Sequence, residues 1–305
     1  MGDSEFIISN YSSSISSFIF LLFLTDHKFY MSEEPTSTTS NFYDNHPETF
    51  HHDFKKGDRD LQEEGDTIPY GIDMVNASLV RAESISNRKV CVVDSGYDYG
   101  HSDLQRKNVA GSTTYEDDLP WNEDSNGHGT HVVGTIAALD NGWGVVGVIP
   151  NGDLNIHIVR VFGSGSYWVW GSDLAAAMYE CADADADIIN LSLGSSSYSA
   201  VVANACKDIN ENRNVLIVAS AGNYGYYGYH YPASYDNVMS VAAVDNTTAW
   251  ASFNNYNDKV DIAAPGVDVY STLPRPFGSF GYKSGTSSKW SQCFCKTLFD
   301  VFPFS

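Results

Sequence analysis

A doubly wound, mostly parallel α/β sheet in three layers, α/β/α, is the fold that this sequence predicts. Three observations carry it. Short β-branched apolar runs recur without polar alternation, as strands buried on both faces do. Stretches rich in small residues lie between several of them. Gly-containing turns close the runs. The chain has 305 residues, 43% of them hydrophobic, enough for one large domain with a sizeable core.

The runs at residues 90–93, 154–161, 187–193, 214–220, 238–244 and 260–264 are the expected strands. The expected helices are 130–139, 172–182 and 199–210. In such sheets ligands sit beyond the carboxyl ends of the strands, so the residues just after each run are where chemistry is sought.

The ends differ from this texture. Residues 1–65 are Ser-, Phe- and acid-rich without a period, and are expected to be a leader and pro-segment remnant, largely disordered. Their apolar run, 18–24, is too short to span a membrane. It sits where a signal peptide's apolar part would, but Asp3 and Glu5 precede it where basic residues belong. Met31 is an alternative start. Residues 66–287 are the expected folded domain and 288–305 a divergent tail.

A net charge of −21 disfavours nucleic acid and anionic membranes as partners. Five cysteines are too few for a disulfide framework. Cys91 reads as a small buried apolar side chain. Cys181 and Cys206, on consecutive helices, read either as a pair or as two free buried thiols.

Three Gly-containing turns carry the chemistry. Val92-Val93-Asp94-Ser95-Gly96 ends a strand, Asn126-Gly127-His128-Gly129-Thr130-His131 opens a helix, and Ser284-Gly285-Thr286-Ser287 lies near the end of the chain. A serine hydroxyl is inert at its own pKa. It needs an imidazole to take its proton and a carboxylate to hold that imidazole in the right tautomer. A metal hydrolase using His128, His131 and Asp103 is an alternative reading of the same residues. It leaves the Gly-Thr-Ser turn unexplained.

Together these segments resemble the subtilisin-like serine proteases from about Asp66 to Ser287. Further matching pieces are Thr67-Ile68-Pro69-Tyr70-Gly71, His101-Ser102-Asp103-Leu104, Leu191-Ser192-Leu193-Gly194, Ala219-Ser220-Ala221-Gly222-Asn223 and Ala263-Ala264-Pro265-Gly266. The resemblance implies a serine endopeptidase working through an acyl-enzyme, with Ser287 as nucleophile, His128 as base and Asp94 as its orienting carboxylate. Asn223 would donate to the oxyanion. Polypeptide substrates would add as a strand between Gly163-Ser164-Gly165 and Ser192-Leu193-Gly194, with Tyr167 walling an outer subsite. A structural Ca²⁺ is implied on Asp103, Asn141, Asp66 and the carbonyls of Leu139, Trp143 and Val145, with no cofactor for catalysis. A monomer in the secretory pathway or outside the cell is implied as well.

Other features read more plainly. The tyrosines at 224, 226, 227, 229 and 231 could rim the primary specificity pocket, and His230 could reach its floor. Asp183-Ala184-Asp185-Ala186-Asp187 reads as a solvated turn. The sequence departs from the family after Ser287, where Ser288-Lys289-Trp290 replaces Met-Ala-x-Pro and a small-residue helix. The resemblance therefore implies a domain lacking its C-terminal portion, and the alternative function is an inactive pseudoprotease that keeps peptide binding.

Overall fold

The computed structural model describes residues 27–31, 65–79, 87–114, 119–163 and 168–285. Ser164, Gly165, Tyr167, Ser287, the tail at 288–305 and most of 1–65 lie outside the described residues.

The strands in chain order are β1 (Lys28–Met31), β2 (Gly65–Thr67), β3 (Lys89–Asp94), β4 (Val109–Thr113), β5 (Trp143–Val145), β6 (Asn155–Arg160) and β7 (Trp168–Trp170), then β8 (Ile188–Leu191), β9 (Leu193–Gly194), β10 (Leu216–Ser220), β11 (Met239–Val244), β12 (Ile262–Pro265), β13 (Val269–Thr272) and β14 (Phe280–Lys283). The helices are α1 (Tyr70–Met74), α2 (His128–Ala137), α3 (Gly171–Asp183) and α4 (Ala200–Arg213). Seven strands form the central sheet in the order β12-β11-β10-β8-β3-β6-β4. Every pairing within it is parallel.

All six expected strands and all three expected helices are present, with ends shifted by a few residues. The 187–193 run divides. Its first part is β8 in the main sheet, whereas Leu193–Gly194 leaves the sheet as β9 and pairs with β1. The strands β8 and β10 are almost wholly buried, so their apolar side chains are covered on both faces.

Local chemistry sets the helix ends. The Ser199 hydroxyl accepts from Val202 N at the start of α4, and Asn214 closes that helix in the left-handed region at φ 54°. The helices α3 and α4 pack on each other and over β3, β6, β8 and β10, while α2 packs on β3 and β13. The 183–187 segment is a turn, as expected. Asp187 receives Lys89 N and the Arg88 guanidinium, and Asp183 pairs with Arg213.

The cysteine reading is corrected. Cys181 is bonded to Cys91, not to Cys206, which is a free buried thiol. The helix α3 belongs to the connection from β6 to β8, and these two strands flank β3. It must therefore cross over β3, which brings Cys181 onto Cys91. Four residues of the stretch expected to lack a strand, Lys28–Met31, form β1. Among the described residues no helix is long and apolar enough to cross a membrane.

Candidate active site

Asp94 is the last residue of β3 and is fully buried. Its carboxylate accepts from His128 Nδ1 at 2.7 Å (Oδ1) and 2.9 Å (Oδ2), and from Ser95 N at 2.7 Å. A bond to a carboxylate fixes the proton on Nδ1, so Nε2 carries the lone pair. That Nε2 is buried and has no hydrogen-bond partner among the described residues.

His128 holds its position because the start of α2 is fastened to the end of β3. Gly127, before it, has φ 87°, and an added Cβ would lie 3.0 Å from Pro274 Cδ, so any other residue here would be strained and crowded. The Asp124 carboxylate accepts Gly127 N (2.7 Å), Asn126 N (3.1 Å) and the Ser95 hydroxyl (2.9 Å) on Oδ1. Its Oδ2 accepts Thr130 N (2.9 Å) and Thr130 Oγ1 (2.7 Å). An acid here satisfies free N–H groups of the first turn and opposes the helix dipole. Ser95 Oγ in turn accepts Gly129 N at 2.9 Å. Sequence reasoning missed Asp124 and the Ser95 hydroxyl. The available signal was an acid just ahead of an Asn-Gly turn that opens a helix.

His131 has a different part. Its Nε2 donates to the carbonyls of Val269 (3.2 Å) and Gly281 (3.3 Å), tying α2 to β13 and β14. Burial, aided by Lys283, holds its pKa well below the usual imidazole value. It is a fastener, which removes the support for a metal site shared with His128. Among the described residues no group of three or more His, Cys, Asp or Glu could hold a metal.

Ser192 is buried and Leu193–Gly194 forms one strand edge of a groove. The facing edge is β7, a few residues beyond Gly163. Between them lies β1, antiparallel to both. Tyr30 pairs with Gly194 and Met31 with Leu193, while Lys28, Phe29 and Tyr30 pair with Trp170, Val169 and Trp168. Phe29 is wholly buried, and the Lys28 ammonium sits 3.6 Å above the Trp168 ring.

Asn223 follows β10 by three residues, after Gly222 at φ 105°. The loop beyond it exposes Tyr224, Tyr226, Tyr227 and Tyr229. It returns through a bridge between Ser195 and Tyr231, whose two backbone bonds are each 2.8 Å.

The residues expected around a cation also converge. The strand β2, carrying Asp66, pairs with β5. The Asp103 carboxylate accepts Val145 N (2.9 Å) and Asn141 Nδ2 (3.0 Å), and Asp66 Oδ2 accepts Gly142 N (2.8 Å). Asp66 Oδ1 is buried without a hydrogen-bond partner among the described residues. Burial, with the nearby Asp66 charge adding to it, pushes the Asp103 carboxyl up to about 7. Leu139 lies at the same turn, its N–H bonded to the Asp103 carbonyl at 3.0 Å.

Residues 86–288 match the family model described as the Subtilase family. The chain is 40% identical over 215 residues to Subtilisin DY of Bacillus licheniformis, covering 68% of this chain and 76% of that protein. It is 41% identical over 211 residues to the thermostable alkaline protease of Halalkalibacterium halodurans, covering 68% of this chain and 55% of that one. Among solved structures it is similar to the psychrophilic subtilisin-like protease Apa1 of the Antarctic psychrotroph Pseudoalteromonas sp. AS-11. There the TM-score is 0.65 and the identity 43%, over 68% of this chain and 48% of the other.

Proposed function

The chain belongs to the subtilase family of serine-type endopeptidases, and from that premise we propose that it cleaves internal peptide bonds with Asp94, His128 and Ser287. The observation that carries the proposal is the Asp94–His128 pair at the carboxyl end of β3, its Nε2 lone pair unspent.

In this reading the Ser287 hydroxyl attacks the peptide carbonyl and its proton passes to Nε2 of His128. Asp94 balances the imidazolium that forms. The tetrahedral oxyanion takes hydrogen bonds from the Asn223 side-chain amide and from the Ser287 backbone N–H. The C–N bond then breaks as Nε2 returns the proton to the leaving amine, which leaves an ester on Ser287. Water, deprotonated by the same nitrogen, hydrolyses that ester. The domain assigned to this chemistry is 66–287.

Substrate binds as a strand in the groove between β7 and Leu193–Gly194, with Gly163, Ser164, Gly165, Tyr167 and Ser192 completing its walls. The support is that a peptide segment, β1, lies there antiparallel to both edges. A Ca²⁺ fits the cluster of Asp66, Asp103 and Asn141 with the carbonyls of Leu139, Trp143 and Val145. Two carboxylates, one of them with an orphaned buried oxygen, are what a hard cation satisfies. It would fasten β2 to β5 and take no part in the reaction. The disulfide Cys91–Cys181 supports placement in the secretory pathway or outside the cell.

The test is covalent labelling with a fluorescent peptidyl phosphonate, followed by mass mapping of the labelled residue. Label on Ser287, lost in His128→Ala, is the expected outcome. Casein hydrolysis without label on Ser287, or label that survives His128→Ala at the wild-type rate, would overturn the assignment.

A further inference from the structure

The edge residue Gly194 and Gly222, next to Asn223, face the same side chain. A Cβ added to Gly194 would lie 2.1 Å from His230 Cε1 and 2.6 Å from its Nδ1, and one added to Gly222 would lie 3.0 Å from its Cγ. The imidazole of His230 thus fills the space between the two backbone walls, and it is 3% exposed.

The ring is held on several sides. Its Nδ1 faces the Ser220 carbonyl at 3.3 Å, which makes Nδ1 the protonated nitrogen. Its backbone N–H donates to Ser234 Oγ (3.0 Å), and its carbonyl accepts Ser234 N (2.9 Å). The pair of backbone hydrogen bonds between Ser195 and Tyr231 fixes the next residue, and the Tyr224 ring centroid lies 5.8 Å away. An imidazole so fastened does not swing aside for an entering side chain. Burial pushes its pKa down to about 4, so it is neutral and offers an acidic side chain no counter-charge.

On the reading that peptide binds between β7 and Leu193–Gly194, a substrate carbonyl at Asn223 puts the side chain of its own residue between Gly194 and Gly222. We propose that His230 is a specificity-determining residue that closes this pocket, so that Gly, Ala or Ser is accepted before the scissile bond and Leu or Phe is rejected.

The test is a set of tetrapeptide p-nitroanilides differing only in the last residue (Gly, Ala, Leu, Phe), read as kcat/KM for the full chain and for His230→Gly and His230→Ala. The uncleavable peptide acids of the same sequences are titrated by calorimetry. β1 competes equally with every peptide, so the ratios are unaffected by it. Wild type is expected to favour Ala over Phe at least tenfold, and His230→Gly to lower that ratio by about 10- to 200-fold, chiefly by gaining Phe. The affinity ratios should follow. A wild type that takes Phe as well as Ala, or variants that bind Ala but leave the ratio unchanged, would overturn the inference. If no anilide is cleaved while the affinity order still inverts, the pocket stands and the peptidase reading fails. Cleavage without inversion means the reverse.

Discussion

Replacing Phe29 by alanine should release β1 from the groove. The segment is held by two short antiparallel ladders, by the Lys28 ammonium over Trp168 and by one wholly buried side chain, Phe29. Burial of a phenylalanine contributes about 1.5–3 kcal/mol, a factor of about 10–150 in the ratio of docked to undocked segment. An external peptide binds only the undocked form, so its apparent affinity scales with that fraction. With the segment docked in nearly every molecule, Phe29→Ala should therefore tighten binding of a fluorescein-labelled tetrapeptide by up to about 10- to 150-fold, read by anisotropy at equilibrium. Lys28→Ala should give a smaller gain of the same sign, since a cation over a half-buried ring contributes about 1 kcal/mol. An affinity unchanged within twofold in Phe29→Ala, with circular dichroism as in wild type, would refute the reasoning that β1 and external peptide compete for one groove.

Further outcomes follow from the same contacts. Asp94→Asn should lower kcat by about 10⁴ with KM little changed, because an amide at the Nδ1 bond favours the wrong tautomer; steady-state kinetics checks it. Cys91→Ala should lower unfolding free energy by about 2–4 kcal/mol through the lost cross-link between residues 90 apart, measured by urea denaturation against the oxidised wild type. Calcium at 100 times its dissociation constant should stabilise the fold by about 2.7 kcal/mol, seen as a higher melting temperature than in chelator, and Asp103→Asn should abolish the difference. Asp98 gives a pH signature. Burial pushes its carboxyl up, but its hydrogen bonds with Arg275 (2.9 Å from both the backbone N and Nη2) outweigh that and hold it below the usual carboxylate range. Its contribution is fully present above the unfolded value, about 3.9, and is lost as pH falls through the lower folded one. The melting-temperature gap between wild type and Asp98→Asn should therefore persist from pH 7 to pH 5 and close below pH 3.

The parts of the fold that could be read from the chain are those whose burial leaves a pattern. The central strands β3, β8, β10 and β11 are covered on both faces and so appear as runs dominated by Val, Ile, Leu and Ala, broken only by Cys91, by Asn190 and by Met239 and Ser240, apart from the ends Lys89, Asp94 and Ser220. The edge strand β4, Val-Ala-Gly-Ser-Thr, carries no such run, because Gly111 is needed where Trp121 and the Ile158 carbonyl crowd its backbone. The hairpin β13–β14 likewise lacks an apolar period, and β1 is too short for one. In the site, Asp94 and His128 were legible because glycines mark their turns. Asp124 was not, since an aspartate ahead of a helix looks the same whether or not the helix carries a base. The partner of Cys181 was beyond reach for a topological reason. Cys91 lies above it only because β3 sits between β6 and β8, and strand order is not written in local pattern. A bond between the consecutive helices, one of the two readings open for Cys181 and Cys206, leaves out the strand that α3 crosses.

All ten residues of α2 are buried, and its Gly134 has Thr272 Oγ1 only 2.1 Å from where a Cβ would be. A helix with no wet face has no position at which chance substitution is harmless. Its carbonyls are bound from the side too, Thr130 O by Thr272 Oγ1 and His131 O by Ser271 Oγ, each at 2.9 Å. Drift in descendants of this gene should therefore spare 128–137 and collect in the exposed tyrosine loop at 224–229. Anyone redirecting this molecule by random libraries would do well to leave the first segment untouched and spend all diversity on the second.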